Sequence, residues 1–187
     1  MDSSKGKSMP DAELLWINDF KSGNKNAFEH IINRYKSPLI NFCYRYLGSK
    51  DEAEDAAQDI LVKIYNALDR FVPTSKFSTW MFAIASNHCK NLLRKKKLLS
   101  FFSLDDLWPD DTASHTHELD TSSLQTEVHN ALLQLPDKQK TVIILSKFEN
   151  LSHDEIAEIL NVSRGAVKQL IFRAKTTLYK SLKKHIP

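Results

Sequence analysis

Glycine is scarce in this chain, with four residues in 187. Neither a Walker A run nor G-x-G-x-x-G can be written, which excludes nucleotide-dependent enzymes of those two kinds. Cysteine is scarcer still. Cys43 and Cys89 are the two present, too few for a metal cage of their own or a disulfide framework, so a reducing compartment is the default. No apolar run approaches the ~20 residues that a membrane-crossing helix needs. Met1–Pro10 also lacks an apolar core of the secretory kind. A cytoplasmic protein without membrane insertion is therefore expected. The remaining composition, 42% hydrophobic and 26% charged, is globular and argues against a wholly disordered chain. At ~150 residues per domain the length suggests one domain, and two small ones also fit.

The formal net charge of +3 conceals an uneven distribution. Residues 1–98 hold 16 basic and 11 acidic residues, a balance of +5. Residues 99–127 hold seven acidic residues and no Lys or Arg. Residues 128–187 hold 10 basic and 5 acidic residues, again +5. Two basic blocks thus flank an acidic one. The acidic stretch also carries Pro109 and repeated Ser, Thr and Asp, with no sustained helical period.

On either side of it, apolar residues recur at three- and four-residue spacing and period-two alternation is scarce. Turn signals lie at Gly23-Asn24, at Gly48-Ser49, at Pro136 and near Asn150 and Asn161. Ser49 with Glu52, and Ser152 with Glu155, each fit a capping box. The expected architecture is all-α. Two small helical domains, 10–98 and 128–187, are joined by a flexible acidic linker over 99–127, with a disordered N-terminus at 1–9.

Residues 151–178 read as a helix-turn-helix. A helix from Ser152 to Leu160 places Ile156, Ala157 and Leu160 inward, and the small Ala157 lets a second helix approach. Asn161-Val162 forms the turn and Ser163 caps the next helix. At ~100° per residue, Val167, Leu170, Ile171, Ala174 and Leu178 gather on one side of that helix. Arg164, Lys168, Gln169, Phe172, Lys175 and Thr176 lie broadly opposite, with Arg173 on the flank. Arg, Lys and Gln near a capped N-terminus suit the reading of guanine and adenine edges in a major groove. The alternative is a solvated basic helix of a three-helix bundle.

The N-terminal domain carries two further faces. Over 80–97, Met81, Phe82, Ala85, Cys89, Leu92 and Leu93 form a core stripe, opposite Trp80, Ile84, Asn87, Lys90, Asn91, Arg94 and Lys95. Aromatics among cations and amides suit single-stranded DNA, where bases stack on rings and cations track phosphates. The alternative is that Trp80 packs on a neighbouring helix. The Phe71–Phe77 loop, with Lys76, is placed to receive an extruded base. Over 51–71, Ala53, Ala56, Ala57, Ile60, Ile64 and Leu68 turn inward while Asp51, Asp55, Gln58, Asp59, Val62 and Asn66 turn outward. That acidic face repels phosphate and suits a basic protein partner, unless it is an ordinary charged surface whose acids favour the helix N-terminus.

Together these residues resemble the extracytoplasmic-function (group four) sigma factors of bacterial RNA polymerase, over nearly the whole chain. The region-two pattern appears in Ala27-Phe28-Glu29, in 51–60, and from Phe77-Ser-Thr-Trp80 through Asn87 to Arg94. The region-four pattern appears in Leu135-Pro136, Leu151-Ser152, Glu155-Ile-Ala157, Gly165-Ala-Val-Lys168 and Arg173-Ala174. The resemblance implies a promoter-recognition protein without catalytic residues, metal or cofactor. It implies docking of Asp55, Gln58 and Asp59 on the clamp helices of the largest polymerase subunit, and of region four on the flap of the second subunit. It implies capture of the melted minus-ten element by Lys76, Trp80, Asn87, Lys90, Asn91 and Arg94, with Lys95 on the same face. It implies reading of the minus-thirty-five element by Ser163, Arg164, Lys168, Gln169 and Arg173, and restraint by an anti-sigma factor.

Ala83 and Ser86 stand where many relatives carry Arg, and Gln169-Leu170 replaces a frequent Ser-Arg pair; Leu170 reads better as core. Two rivals remain. A stand-alone regulator shares the helix-turn-helix but leaves Trp80 and the acidic face without a role. A metal-dependent hydrolase built on His115-x-His117 with Asp110, Asp111, Glu118 or Asp120 would sit in the linker, where such a pair is more often plain polar sequence.

Overall fold

The computed structural model describes residues 9–103 and 123–183, with side chains over 12–99 and 126–183. Among the described residues all regular structure is helical, as expected. The helices are α1 (Met9–Lys21), α2 (Phe28–Leu47), α3 (Lys50–Ala67), α4 (Phe77–Ser103), α5 (Ser123–Leu133), α6 (Asp137–Lys147), α7 (His153–Leu160) and α8 (Arg164–Leu182), with 3-10 turns at Lys25–Ala27 and Leu68–Arg70. The expected domain edges at 98 and 128 fall inside helices. α4 continues through Leu98-Leu99, because no glycine or proline interrupts it before Pro109, and α5 begins five residues before 128.

The breaks follow the turn chemistry. Gly23 (φ +106°) and Gly48 (φ +88°) adopt left-handed backbone after α1 and α2, and Asn150 and Asn161 do so around α7. Gly48 N–H donates to the Tyr44 carbonyl at 2.9 Å, closing α2. The Ser49 hydroxyl then accepts from the Glu52 amide at the start of α3. The Ser152 hydroxyl accepts from the Glu155 amide, and the Glu155 carboxylate accepts from the Ser152 amide, a full capping box on α7.

The N-terminal core lies between α2, α3 and α4. Ala53, Ala56, Ala57, Ile60 and Ile64 of α3 meet Ile31, Leu39 and Phe42 of α2 and Met81, Phe82 and Ala85 of α4. Cys43 and Cys89 face each other across this core at 3.7 Å as buried free thiols. The bond to Cys43, with burial, pushes the Cys89 thiol well above its ordinary range. The C-terminal core gathers Val142, Ile144 and Leu145 of α6, Ile156 of α7, and Val167 and Ala174 of α8.

The two halves pack together, α2 against α5 and α6, and α4 against α7. At this junction Tyr46 Oη lies 2.9 Å from Thr141 Oγ1, both buried. The Thr141 hydroxyl donates to the Asp137 carbonyl, so Tyr46 is the donor of the pair. Burial pushes its phenol up to about 12. Tyr44 stacks on His129 with ring centroids 4.5 Å apart, and Gly48 abuts Leu133.

Two predictions test this junction. A β-carbon at Gly48 would sit 2.7 Å from Leu133 Cδ1 in left-handed backbone. Gly48→Ala should therefore destabilise the protein by about 1–2 kcal/mol, read as a lower urea midpoint at unchanged slope. His129 titrates below its ordinary 6.5 because of burial, then the nearby cations Arg45 and Lys140. The unfolded chain therefore takes up its proton first, and stability should decline as pH falls below about 6.5. His129→Phe keeps a ring on Tyr44 without the proton. Its urea midpoint should fall less than the parent's between about pH 7.5 and about 5.5, and an equal fall would assign the slope to other groups.

Candidate functional site

The helix-turn-helix forms as the sequence suggests. Asn161 takes left-handed backbone at the end of α7, and the Val162 amide donates to the Ala157 carbonyl at 3.0 Å. The Ser163 hydroxyl accepts from the Ala166 amide at 3.2 Å and starts α8. Val167, Ile171 and Ala174 are buried, while Leu170 and Leu178 pack partly against the core. Arg164, Lys168, Gln169 and Arg173 are exposed together with Phe172. Leu170 thus belongs with the core. Arg164 reaches back 3.5 Å to Asp154 at the start of α7. Beside it a cavity of about 400 Å³ is lined by Lys147, Ser152, His153, Arg164 and Lys175. The sequence reading placed Lys175 on this face and missed Lys147, which α6 brings in from another part of the chain.

The α4 face is partly as expected. Asn87, Lys90, Asn91, Arg94 and Lys95 are exposed along two turns. Trp80 is half-buried and packs on Phe71 and Phe77, with centroids 5.1 and 5.7 Å away. Neither ring belongs to the neighbouring helix of the alternative: Phe71 follows the Leu68–Arg70 turn and Phe77 is in α4 itself. Phe71 and Phe77, expected to offer rings to a base, are 2% and 3% exposed and serve the core. The loop between them leaves Lys76 outside. Lys76 Nζ lies 3.0 Å from Glu155 of α7, so a candidate DNA contact is held by the other half of the molecule. Burial pushes the Glu155 carboxyl up, but the Ser152 bonds and Lys76 outweigh it and bring the group below its ordinary range. Ser86, noted above as departing from the usual Arg, is buried.

The α3 face exposes Asp55, Gln58 and Asp59, followed by Val62 and Tyr65. A shallow cavity of about 420 Å³ continues from it, lined by Phe28, Ile32, Leu61, Val62 and Tyr65. Its α2 contribution could not be read from the period of α3 alone. Behind the acids lies His88 of α4, 7% exposed, which the sequence reading gave no role. Its Nδ1 is bonded to Lys63 Nζ, and its Nε2 lies 3.6 Å from Asp59 Oδ2. Burial, then Lys63, lowers its proton affinity, against the pull of Asp59.

No group of three or more His, Cys, Asp or Glu suited to a metal occurs among the described residues. His115, His117 and their acidic neighbours lie outside them.

Comparison with known proteins finds a family model for each half of the chain. Residues 31–98 match the model of Sigma-70 region 2, and residues 125–178 that of Sigma-70, region 4. The ECF RNA polymerase sigma factor SigW of Bacillus subtilis is 35% identical over 183 residues, covering 89% of this chain and 95% of the relative. An ECF RNA polymerase sigma-E factor of Haemophilus influenzae is 31% identical, covering 83% and 87%. Among solved structures, the sigma factor RpoE of Bartonella quintana, in complex with the anti-sigma factor NepR, superimposes with a TM-score of 0.68 at 28% identity over 83% of this chain and 96% of that one. CnrH, solved with the cytosolic domain of CnrY, shares the fold with a TM-score of 0.70 at 24% identity, over 92% and 98%. The chain belongs to the extracytoplasmic-function sigma factors of the sigma-70 family.

Proposed function

We propose that this chain binds core RNA polymerase and directs promoter-specific transcription initiation, with 10–98 acting as region two, 128–187 as region four and 99–127 as the tether. One juxtaposition carries the reading. A carboxylate face on α3 and a cation-and-amide face on α4 share one domain, while a capped helix-turn-helix exposing Arg164, Lys168, Gln169 and Arg173 forms the other.

Each face has a distinct task. Asp55, Gln58 and Asp59 dock on a basic helical surface of the largest polymerase subunit, where opposite charge sets orientation and encounter rate. Asn87, Lys90, Asn91, Arg94 and Lys95 hold the melted minus-ten strand: the amides meet base edges and the cations follow phosphate. Trp80, seated on Phe71 and Phe77, offers one ring edge of a rigid platform, and Lys76 joins once it leaves Glu155. On α8, Arg164, Lys168, Gln169 and Arg173 read the minus-thirty-five duplex, with Ser163 fixing where the helix begins. The chain supplies binding energy and no chemistry, so it needs neither metal nor cofactor. The polymerase makes the phosphodiester bonds, and the work is done in the cytoplasm. Region four also meets the flap of the second subunit, and an anti-sigma factor of the kind bound to the Bartonella relative restrains the free protein.

With a balance of +5 in each basic block, each domain alone neutralises few phosphates and binds DNA weakly. Held together on polymerase, two weak sites act through effective concentration. A stand-alone regulator would instead bind its operator tightly without polymerase.

Purified chain plus core polymerase should start specific transcripts from a genomic library, and neither component alone should. Absence of any promoter-specific transcript from the pair would sink the reading. The faces separate by mutation. Asp55→Ala with Asp59→Ala should weaken polymerase binding about 10-fold and spare the DNA contacts. Asn91→Ala with Arg94→Ala should leave polymerase affinity within about 2-fold and reduce open complexes about 10-fold, scored by permanganate footprinting. Trp80→Ala should also reduce open complexes, and by emptying its place on Phe71 and Phe77 should cost roughly 2 kcal/mol of stability.

A further inference from the structure

His88 is a buried polar side chain aimed at an exposed functional one. It sits on α4 with 7% of its surface exposed, and its Nε2 has no hydrogen-bond partner. Two groups of α3 flank its ring. Lys63 Nζ bonds to Nδ1, and Asp59 Oδ2 lies 3.6 Å from Nε2. An ammonium can only donate, so Nδ1 is the acceptor and a neutral imidazole must carry its proton on Nε2. That N–H points at the Asp59 carboxylate. Closing the pair to hydrogen-bond length needs a shift of about 0.5 Å, well within reach of a side chain that is 68% exposed.

We infer that His88 is a positioning residue for polymerase docking: it takes a hydrogen bond from Lys63, donates one to Asp59, and holds that carboxylate in one orientation on the docking face. The inference rests on the assignment of Asp59 to that face. An unrestrained surface Asp loses rotamer freedom when a partner immobilises it, and a donor already in place removes part of that loss before docking. A buried imidazole lacking a partner on one nitrogen is otherwise costly, so a purely apolar residue would be the better filler of this site. Because His88 follows Asn87 of the DNA face on the same helix turn, the support for polymerase docking and the contact with the melted strand share one rigid element.

The test uses the full chain and core polymerase. His88→Leu removes donor and acceptor at similar volume, and His88→Gln supplies both again through one amide. Leu should weaken polymerase binding roughly 3- to 10-fold, the net size of one ordinary hydrogen bond, and Gln should restore most of it. In the Asp59→Ala background, His88→Leu should cause no further loss. Three results overturn the inference while leaving the docking face in place: unchanged affinity in His88→Leu, Gln no better than Leu, or an equal loss from Leu with and without Asp59. If Asp59→Ala alone leaves affinity unchanged, the docking assignment itself fails and the inference falls with it. Should His88→Leu not fold, nitrogen-15 shifts of the wild-type imidazole decide. A protonated Nε2 with a bare Nδ1 is expected, and the opposite tautomer overturns the inference.

Discussion

Three alanines set the distance between α2 and α3. Ala53, Ala56 and Ala57 are fully buried at the contact, and small side chains bring helix axes toward the near end of the ~8–10 Å range. A larger residue at any of these positions would push α3 outward and overpack the core. With the alanines seated, Ile60 and Ile64 fall into the same groove. The ~100° step of the helix then sends Asp51, Asp55, Gln58, Asp59 and Val62 to solvent. α4 lies across the pair and buries Met81, Ala85 and Cys89 on one side, which leaves Asn87, Lys90, Asn91 and Arg94 outside. The acidic and basic faces are products of one packing arrangement, so neither can shift without the other.

What could be read from the chain divides along the same physical line. The outward sets of α3, α4 and α8 were legible because each lies on a regular helix, where apolar period alone assigns the buried side. The caps at Ser152 and Ser163 were legible because they are local. Phe71 and Phe77 were misjudged because they flank a loop, and a loop has no period from which to infer which side chain turns inward. Trp80 was half-judged: its helix position is outward, but a large ring bends back onto the two phenylalanines. His88 escaped notice because its role depends on Asp59 and Lys63, separated from it by more than 20 positions. Nothing local announces that meeting. The junction between the halves was likewise invisible, since Tyr46 and Thr141 lie 95 positions apart.

That junction bears on how the free protein answers DNA. Its ion pairs include two with exposed lysines, Lys76 on Glu155 and Lys97 on Asp137, and the more buried pair of Arg45 with Glu149. An exposed lysine contributes little to such a pair, about 0–1 kcal/mol, and that contribution weakens with salt. The other contacts are of another kind: Tyr46 on Thr141, Tyr44 on His129, and Leu133 against Gly48. None of these involves a residue proposed to touch promoter or polymerase. The cation proposed to meet the minus-ten strand is therefore held only by a weak, replaceable partner. Strand phosphates present a denser row of negative charge than one carboxylate can, and they compete for Lys76 at little cost. Glu155 loses less still, because its two bonds with Ser152 keep α7 capped after the lysine leaves. The cap of α7 is thus independent of the lysine that reaches it from the other half.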